Sequence, residues 1–445
     1  MASLRGRLRI LYLVWLLSLL ALASLAGQAR AANPTIGVLH VDGVINPVLA
    51  DYVERGIKQA TDDNAVALVI QLDTPGGLDT AMRDIVQDII DARVPVVVFV
   101  SPAGARAASA GVFITMAAHV AAMAPNTAIG AAHPVSIGAQ GETSISSTME
   151  EKVVNDAAAY IRSIAQAHGR NMEWAEKAVR ESVSATEQEA LKLGVIDIVA
   201  TDLADLIIKL DGRSVTMLGG QEVTIETSGA ITKDINMSVI EDFLYTISDP
   251  NIAYLLLSLG GLAIIAAIYN PGLIFPAVIG GISLLLGFYA LGVLPVNWAG
   301  VLLIGLAFVF FIAELLTSSF GLLAGGGLIA LILGSLILFK GGPLFRVSPA
   351  LIATVSVLIG GFLVFAITSV IQIHRRRATT GKEELAGKTA IVRTALDPQG
   401  MVFYKGELWT AVSEAGRIEP GEEVTITRIG GLKIYVTKKI EEVNT

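Results

Sequence analysis

Three short segments carry residue types able to attack, polarise or deprotonate a substrate. The first holds Ser109, inside Gly104-Ala105-Arg106-Ala107-Ala108-Ser109-Ala110-Gly111. Only small residues flank it, and an apolar helical pattern, Val112 to Ala118, follows. A hydroxyl there is open to a carbonyl carbon, and the positive end of a helix favours an alkoxide or a nearby oxyanion. The same position equally suits an ordinary N-cap serine. The second segment is Asp73-Thr74-Pro75-Gly76-Gly77, directly after an apolar run of strand length. Paired glycines let backbone N–H groups turn inward, as an oxyanion hole requires, and they also suit a plain strand-to-helix turn. The third is Ser147-Thr148-Met149-Glu150-Glu151-Lys152. Thr148 and Glu151 have capping-box spacing, and Met149, Val153, Ala157, Tyr160 and Ile164 form an apolar helical stripe flanked by Lys152. In the first turn and partly buried, an ammonium is pushed toward neutrality, which a lysine general base needs. A solvated surface lysine is the other reading.

The elements that must position these groups follow from periodicity. Ile36 to Val41, Ala65 to Leu72 and Pro95 to Val100 are continuous, β-branched apolar runs. Such runs predict strands buried on both faces, as in a parallel sheet. Leu78 to Ala92 carries Met82, Ile85, Val86, Ile89 and Ile90 at helical spacing, which completes a βαβ unit. An α/β domain is expected over residues 33–235. Ahead of it, Arg5, Arg7 and Arg9 precede the apolar run Leu11 to Leu25 and the small-x-small site Ala29-Arg30-Ala31. That pattern predicts a signal peptide over residues 1–31, or an uncleaved anchor, and either places the next domain outside the cytoplasm.

Composition adds exclusions. Of the 445 residues 53% are hydrophobic and 16% charged, which argues against a wholly soluble protein. There is no cysteine, so a Cys nucleophile, thiolate metal ligands and disulfides are out. A net charge of −8 advertises no surface for nucleic acid. Within a membrane domain over residues 250–374, five stretches approach the length of a span: 252–268, 273–294, 298–318, 320–339 and 349–373. The cluster His374-Arg375-Arg376-Arg377 then predicts a cytoplasmic C-terminus, although Lys340 and Arg346 would lie outside. Glu314, near the end of the third stretch, is read as a partly hydrated structural carboxylate, and Gly325-Gly326-Gly327 as a site of close helix packing. Residues 383–443 read as a small all-β barrel of about five strands, of OB type. From Lys382 onward 9 Lys/Arg stand against 10 Asp/Glu, so a protein contact is expected there rather than a nucleic-acid groove.

Leu72 to Gly77, Ala107-Ala108-Ser109-Ala110-Gly111, Met123 to Ala131, and Lys152 to Ala165 followed by Gly169-Arg170-Asn171 together resemble the long form of the NfeD family. These are membrane-bound serine proteases encoded beside stomatin-like proteins. The resemblance implies a ClpP/crotonase-like α/β peptidase fold, a multi-span helical membrane domain and an OB-fold barrel. It makes Ser109 the nucleophile and Lys152 the general base of a Ser-Lys dyad, with Gly76, Gly77 and the Ala110 N–H around the oxyanion. It implies no cofactor and no metal, cleavage of hydrophobic segments, a stomatin-like membrane partner, contact with membrane lipid, and a homo-oligomer of at least two subunits. His133 lies 24 residues after Ser109, close to where ClpP-type enzymes place their histidine, and is the alternative base. Ser182 stands where such enzymes carry the orienting acid. The stretch from Gly138 to Ser147 reads as a mobile polar loop, a candidate lid over the cleft. The rival reading is a catalytically idle scaffold organising a stomatin-like partner. A crotonase-like acyl-CoA enzyme is disfavoured, because its substrates are cytoplasmic.

Overall fold

The structure, a computed structural model, describes residues 12–16, 18, 33–134, 147–269, 272, 274–317, 321–375 and 385–439. The expected cleavage site at Ala29 to Ala31 and most of the loop from Gly138 lie outside the described residues. The chain divides into two units, residues 1–360 and 361–445, each described by itself.

The first unit opens with β1 (Thr35–Asp42), α1 (Pro47–Asp62), β2 (Ala67–Asp73), α2 (Asp79–Asp91), β3 (Val96–Val100) and β4 (Arg106–Ala108). It continues through α3 (Ala110–Ala117), β5 (Val120–Met123), β6 (Ala128–Gly130), α4 (Ser147–Ala167), α5 (Met172–Arg180) and β7 (Ser184–Thr186). Then come α6 (Glu187–Lys192), β8 (Ile198–Val199), α7 (Leu203–Leu210), β9 (Arg213–Thr216), β10 (Glu222–Ile225) and β11 (Ile231–Asp234). The main sheet is parallel, in the order β11-β1-β2-β3-β5-β8. Its strands are apolar on both faces because each face is covered. Leu68, Ile70, Val96 and Val98 join one core with α1 to α4, while Val69, Val97 and Phe99 join a second with α7 and the β9–β10 hairpin. A small second sheet, β4-β6-β7, stands beside the end of β2. This is the expected α/β architecture, a parallel sheet covered on both faces.

Helix α3 is the structural centre of that domain. All eight of its residues are buried, which explains an apolar sequence with no polar face. Past its C-terminus the Arg170 guanidinium, 2% exposed, donates to the Met116 and Ala118 carbonyls at 2.8 and 2.9 Å and to Asp197 at 2.7 Å. A cation there complements the negative helix end and satisfies carbonyls that the helix leaves unpaired.

Helix α8 (Val239–Ile247) is bound back to α1 by the Arg55–Glu241 pair at 2.7 Å. The membrane block follows as α9 (Pro250–Tyr269), α10 (Ile274–Val293), α11 (Trp298–Leu316), α12 (Leu322–Leu336) and α13 (Pro349–Arg375). Four are long and apolar enough to cross a bilayer. Helix α12, expected over 320–339, has only 15 residues, roughly 22 Å at 1.5 Å per residue. Glu314 shows why. It is buried rather than hydrated, and its carboxylate accepts from the Gly321 and Ala324 N–H groups at 2.8 and 3.0 Å, capping α12 from α11. Of the three consecutive glycines only Gly327 sits at a tight contact, against Phe311. At one end of the block the connections are bonded together. Val296 and Phe339 form a bridge, Lys340 N–H donates to the Pro295 carbonyl at 2.6 Å, and Ser348 N–H donates to Asn251 Oδ1 at 2.8 Å.

In the second unit β12 (Thr389–Thr394), β13 (Gln399–Tyr404), β14 (Glu407–Ser413), β15 (Glu423–Gly430) and β16 (Lys433–Lys438) close into a barrel, β12-β13-β14-β16-β15, around Val392, Val402, Ala411, Val424 and Ile434.

Beside Arg170, His119 and His168 pack edge to face with centroids 6.1 Å apart. Burial, then the guanidinium, lowers both imidazoles from 6.5 to about 4. His119 Nδ1 accepts from the Val96 N–H at 3.2 Å, which requires the neutral ring. Unfolded, both titrate near 6.5, so between about pH 6.5 and 4 the unfolded chain takes up protons that the folded chain refuses. Their contribution is intact above pH 6.5 and is lost progressively as pH falls through that window. The thermal midpoint is therefore expected to drop between pH 7 and pH 4.5, and a His119→Gln/His168→Gln variant to show a shallower drop over the same range.

Candidate active site

The site is built where β2 runs out. Asp73 Oδ1 accepts from the Arg106 N–H at 2.9 Å, Thr74 N–H donates to the Arg106 carbonyl at 2.8 Å, and Ala108 N–H donates to the Thr74 carbonyl at 3.1 Å. These bonds hold β4 against the end of β2. Ser109 N–H then donates to the Gly130 carbonyl at 3.1 Å. The result is Ser109 at φ 52°, ψ −112°, a left-handed conformation that costs a side-chain-bearing residue on the order of 1–3 kcal/mol. Ser109 occupies the N-cap of α3, yet its hydroxyl makes no capping bond. The ordinary N-cap reading therefore fails, and among the described residues the hydroxyl has no hydrogen-bond partner.

Gly76, at φ +117°, packs directly on that serine: a Cβ there would lie 2.7 Å from Ser109 Cβ. Its own N–H donates to Thr74 Oγ1 at 3.0 Å, so Gly76 supplies room, not the expected oxyanion donor. Gly77 differs. Ile45 pairs with its neighbours, Ile45 N–H to the Gly76 carbonyl and Leu78 N–H to the Ile45 carbonyl, both 2.9 Å. This parallel bridge turns the Gly77 N–H away from Ile45. Among the described residues neither the Gly77 N–H nor the Ala110 N–H has an acceptor.

Ser109, Ala110, Gly77, His133 and Lys152 all line one cleft of about 640 Å3. Lys152 is exposed rather than partly buried, and Thr148 is already helical, which moves Lys152 past the first turn of α4 and removes the expected capping box. Among the described residues Lys152 makes no ion pair or hydrogen bond. Its neighbour Arg83 is committed, to Asp79 at 2.8 Å, to Asp156 at 2.6 Å and over the Tyr160 ring. His133 Nδ1 lies 2.8 Å from the Val179 carbonyl. A carbonyl only accepts, so Nδ1 carries the proton and Nε2 is left as the basic nitrogen. Ser182 is exposed and does not line the cleft, so the backbone of Val179 takes the orienting place. No three His, Asp or Glu side chains converge as a metal site would need, among the described residues.

Sequence reasoning missed three parts. Thr74 is fully buried and holds the Gly76 turn through its hydroxyl. At Gly111 a Cβ would stand 2.7 Å from Thr74 Cγ2, so α3 starts in contact with the end of β2. Gly341, Gly342, Leu344 and Phe345, from the membrane block, also line the cleft. The first two lie inside the quoted motifs; nothing in the sequence flagged the third.

Three family models match in series: the NfeD1b N-terminal domain over residues 35–209, the NfeD integral membrane domain over 251–369, and the NfeD-like C-terminal, partner-binding domain over 382–438. The chain is 39% identical over 436 residues to membrane-bound protease PH1510 of Pyrococcus horikoshii, covering 96% of this chain and 98% of that protein. The chain belongs to the NfeD family. Solved structures similar to its NfeD N-terminal domain include two described as 1510-N membrane-bound stomatin-specific protease. A lysine-to-alanine mutant in complex with a substrate peptide is 36% identical, covers 48% of this chain and 98% of that one, and has a TM-score of 0.45. A serine-to-alanine mutant is 38% identical, covers 46% and 100%, and has a TM-score of 0.44.

The contact at Gly111 yields a test. Gly111→Ala is expected to keep the fold but to displace Ser109 and Ala110 by a few tenths of an ångström, slowing labelling of the serine by a fluorophosphonate at least tenfold. Adding Thr74→Ser, which removes the clashing methyl and keeps the hydroxyl, should restore most of the rate. Unchanged labelling in Gly111→Ala would mean the contact does not position the serine.

Proposed function

We propose that this NfeD chain is a membrane-anchored serine endopeptidase acting through a Ser109–Lys152 dyad. The observation that supports it most is Ser109 itself: a hydroxyl that makes no capping bond, on a strained backbone, in a cleft shared with an amine and two amides that have no partner among the described residues. In this reading Lys152 Nζ takes the hydroxyl proton as the oxygen attacks a peptide carbonyl. The Gly77 and Ala110 N–H groups receive the tetrahedral oxyanion, each worth about 2.7–4 kcal/mol in comparable sites. Lys152 returns the proton to the departing amine, and water, deprotonated in the same way, hydrolyses the acyl-enzyme. His133, with its fixed tautomer, is the alternative base.

The substrate class is an apolar segment of a membrane-associated protein. The peptidase domain lies outside the cytoplasm, the spans hold it at the bilayer, and the C-terminal barrel docks on a stomatin-like partner. The active form is an oligomer of at least two subunits. A net-neutral cleft suits that substrate, since Asp79 and Asp156 balance Arg83 and Lys152.

Ser109→Ala is expected to lower cleavage of an apolar peptide by at least 10³-fold. Lys152→Ala should be similarly inert while His133→Ala stays within about threefold of the parent, by initial-rate measurement on the full chain in nanodiscs. The reverse pattern would transfer the base to His133. Equal cleavage by the parent and Ser109→Ala would leave the idle scaffold as the better reading.

A further inference from the structure

The cleft has a wall that the peptidase domain does not own. Gly341, Gly342, Leu344 and Phe345 lie between α12 and α13, almost two hundred residues beyond Lys152, and they line the same cavity as Ser109. The segment is tied down at both ends. Upstream, Phe339 bridges Val296 and Lys340 N–H donates to the Pro295 carbonyl. Downstream, Ser348 N–H donates to Asn251 Oδ1. Between these ties run only seven residues, folded on themselves by a 3-10 turn at Pro343–Phe345 and a bond from the Phe345 N–H to the Gly342 carbonyl at 3.1 Å. Phe345 is 6% exposed and packs over Gly341, whereas Leu344 is 39% exposed. A short, doubly anchored loop with one buried aromatic and one free aliphatic side chain is a fixed wall, not a loose flap.

On the peptidase side the apolar lining comes from Leu78, Met82 and Phe113, and the charges cancel. An exposed leucine on the second wall adds apolar surface that a polar substrate cannot use and an apolar side chain can bury.

We propose that Leu344, carried on the Gly341–Phe345 loop of the membrane block, is a specificity-determining residue: it forms one side of an apolar subsite and selects extended apolar polypeptide lying at the membrane surface. The inference rests on the proteolytic reading of the site and assigns its selectivity to the membrane domain. It makes the loop a substrate contact with no part in bond making, so the loop should act on apolar substrates and leave the reactivity of Ser109 alone.

The test uses the full chain in nanodiscs, the parent against Leu344→Asp and Leu344→Ser, on two peptides differing only in whether the residues flanking the scissile bond are apolar or polar. Fluorophosphonate labelling of Ser109 serves as the measure of intact chemistry. The expected result is a loss of about tenfold in kcat/KM for the apolar peptide, carried mainly by KM, with the polar peptide and the labelling rate within about twofold of the parent. Equal losses on both peptides with normal labelling, or no loss on either, would overturn the proposal. If Leu344→Asp labels slowly, Leu344→Ser decides by the same comparison, and slow labelling in both variants would also overturn it, since the loop would then support the fold rather than the selectivity. Failure of the parent itself to cleave either peptide, with Ser109 unlabelled, would remove the proteolytic reading and this inference with it; labelling and cleavage that ignore Leu344 would remove the inference alone.

Discussion

A serine held at positive φ, at the start of a wholly buried helix, sets the terms for the rest of the peptidase domain. Such a conformation persists only where the surroundings over-determine it. Here Asp73 and Thr74 fix β4, the Gly130 carbonyl takes the Ser109 N–H, Gly76 leaves room for the side chain, and Arg170 grips the far end of α3. Two of these partners, Thr74 and Arg170, are buried polar groups whose only evident work is positional. Among the described residues the hydroxyl caps nothing and the first amide of α3 has no acceptor, and Ser109 and Ala110 both line the cleft.

The two glycines of the Gly76-Gly77 pair divide the labour that such a motif is usually credited with as a unit. One is a spacer, with its N–H consumed by Thr74, and the other keeps an N–H with no acceptor among the described residues, because pairing through its neighbours turns it away from Ile45. A similar division separates the two candidate bases. Lys152 is exposed and makes no ion pair or hydrogen bond among the described residues, while His133 is held by a backbone carbonyl in one tautomer. The geometry thus equips both with a basic nitrogen on one cleft, and chemistry has to choose between them.

The membrane block is held at one end by hydrogen bonds between its connections rather than by hydrophobic packing alone. That is expected where bilayer and helix surfaces are equally apolar and small residues and backbone bonds must supply the fit. Glu314 follows the same logic. A carboxylate among apolar helices is tolerable because it satisfies two N–H groups at the start of α12, which α12 cannot satisfy itself. The same end of the block delivers a loop to the cleft, so anchoring and the lining of the cleft share one structural feature.

Much of this was legible in the residues. Continuous β-branched runs announced a parallel sheet, long apolar stretches announced the membrane helices, and Ser109 and the glycine pair stood out because small residues and strand ends are local signals. The closed five-stranded barrel matches the number of strands read from residues 383–443. What stayed hidden depends on partners remote in the chain. That α12 starts where it does follows from a carboxylate on the preceding helix, that the Gly76 N–H is already taken follows from the Thr74 hydroxyl, and that Lys152 and His133 line one cleft with Ser109 follows from packing between segments remote in the chain. Periodicity and motif record which backbone states and burial patterns a segment prefers. They do not record where an N–H points or which distant loop closes a cavity, because those are set by long-range packing, and only the tertiary structure decided them.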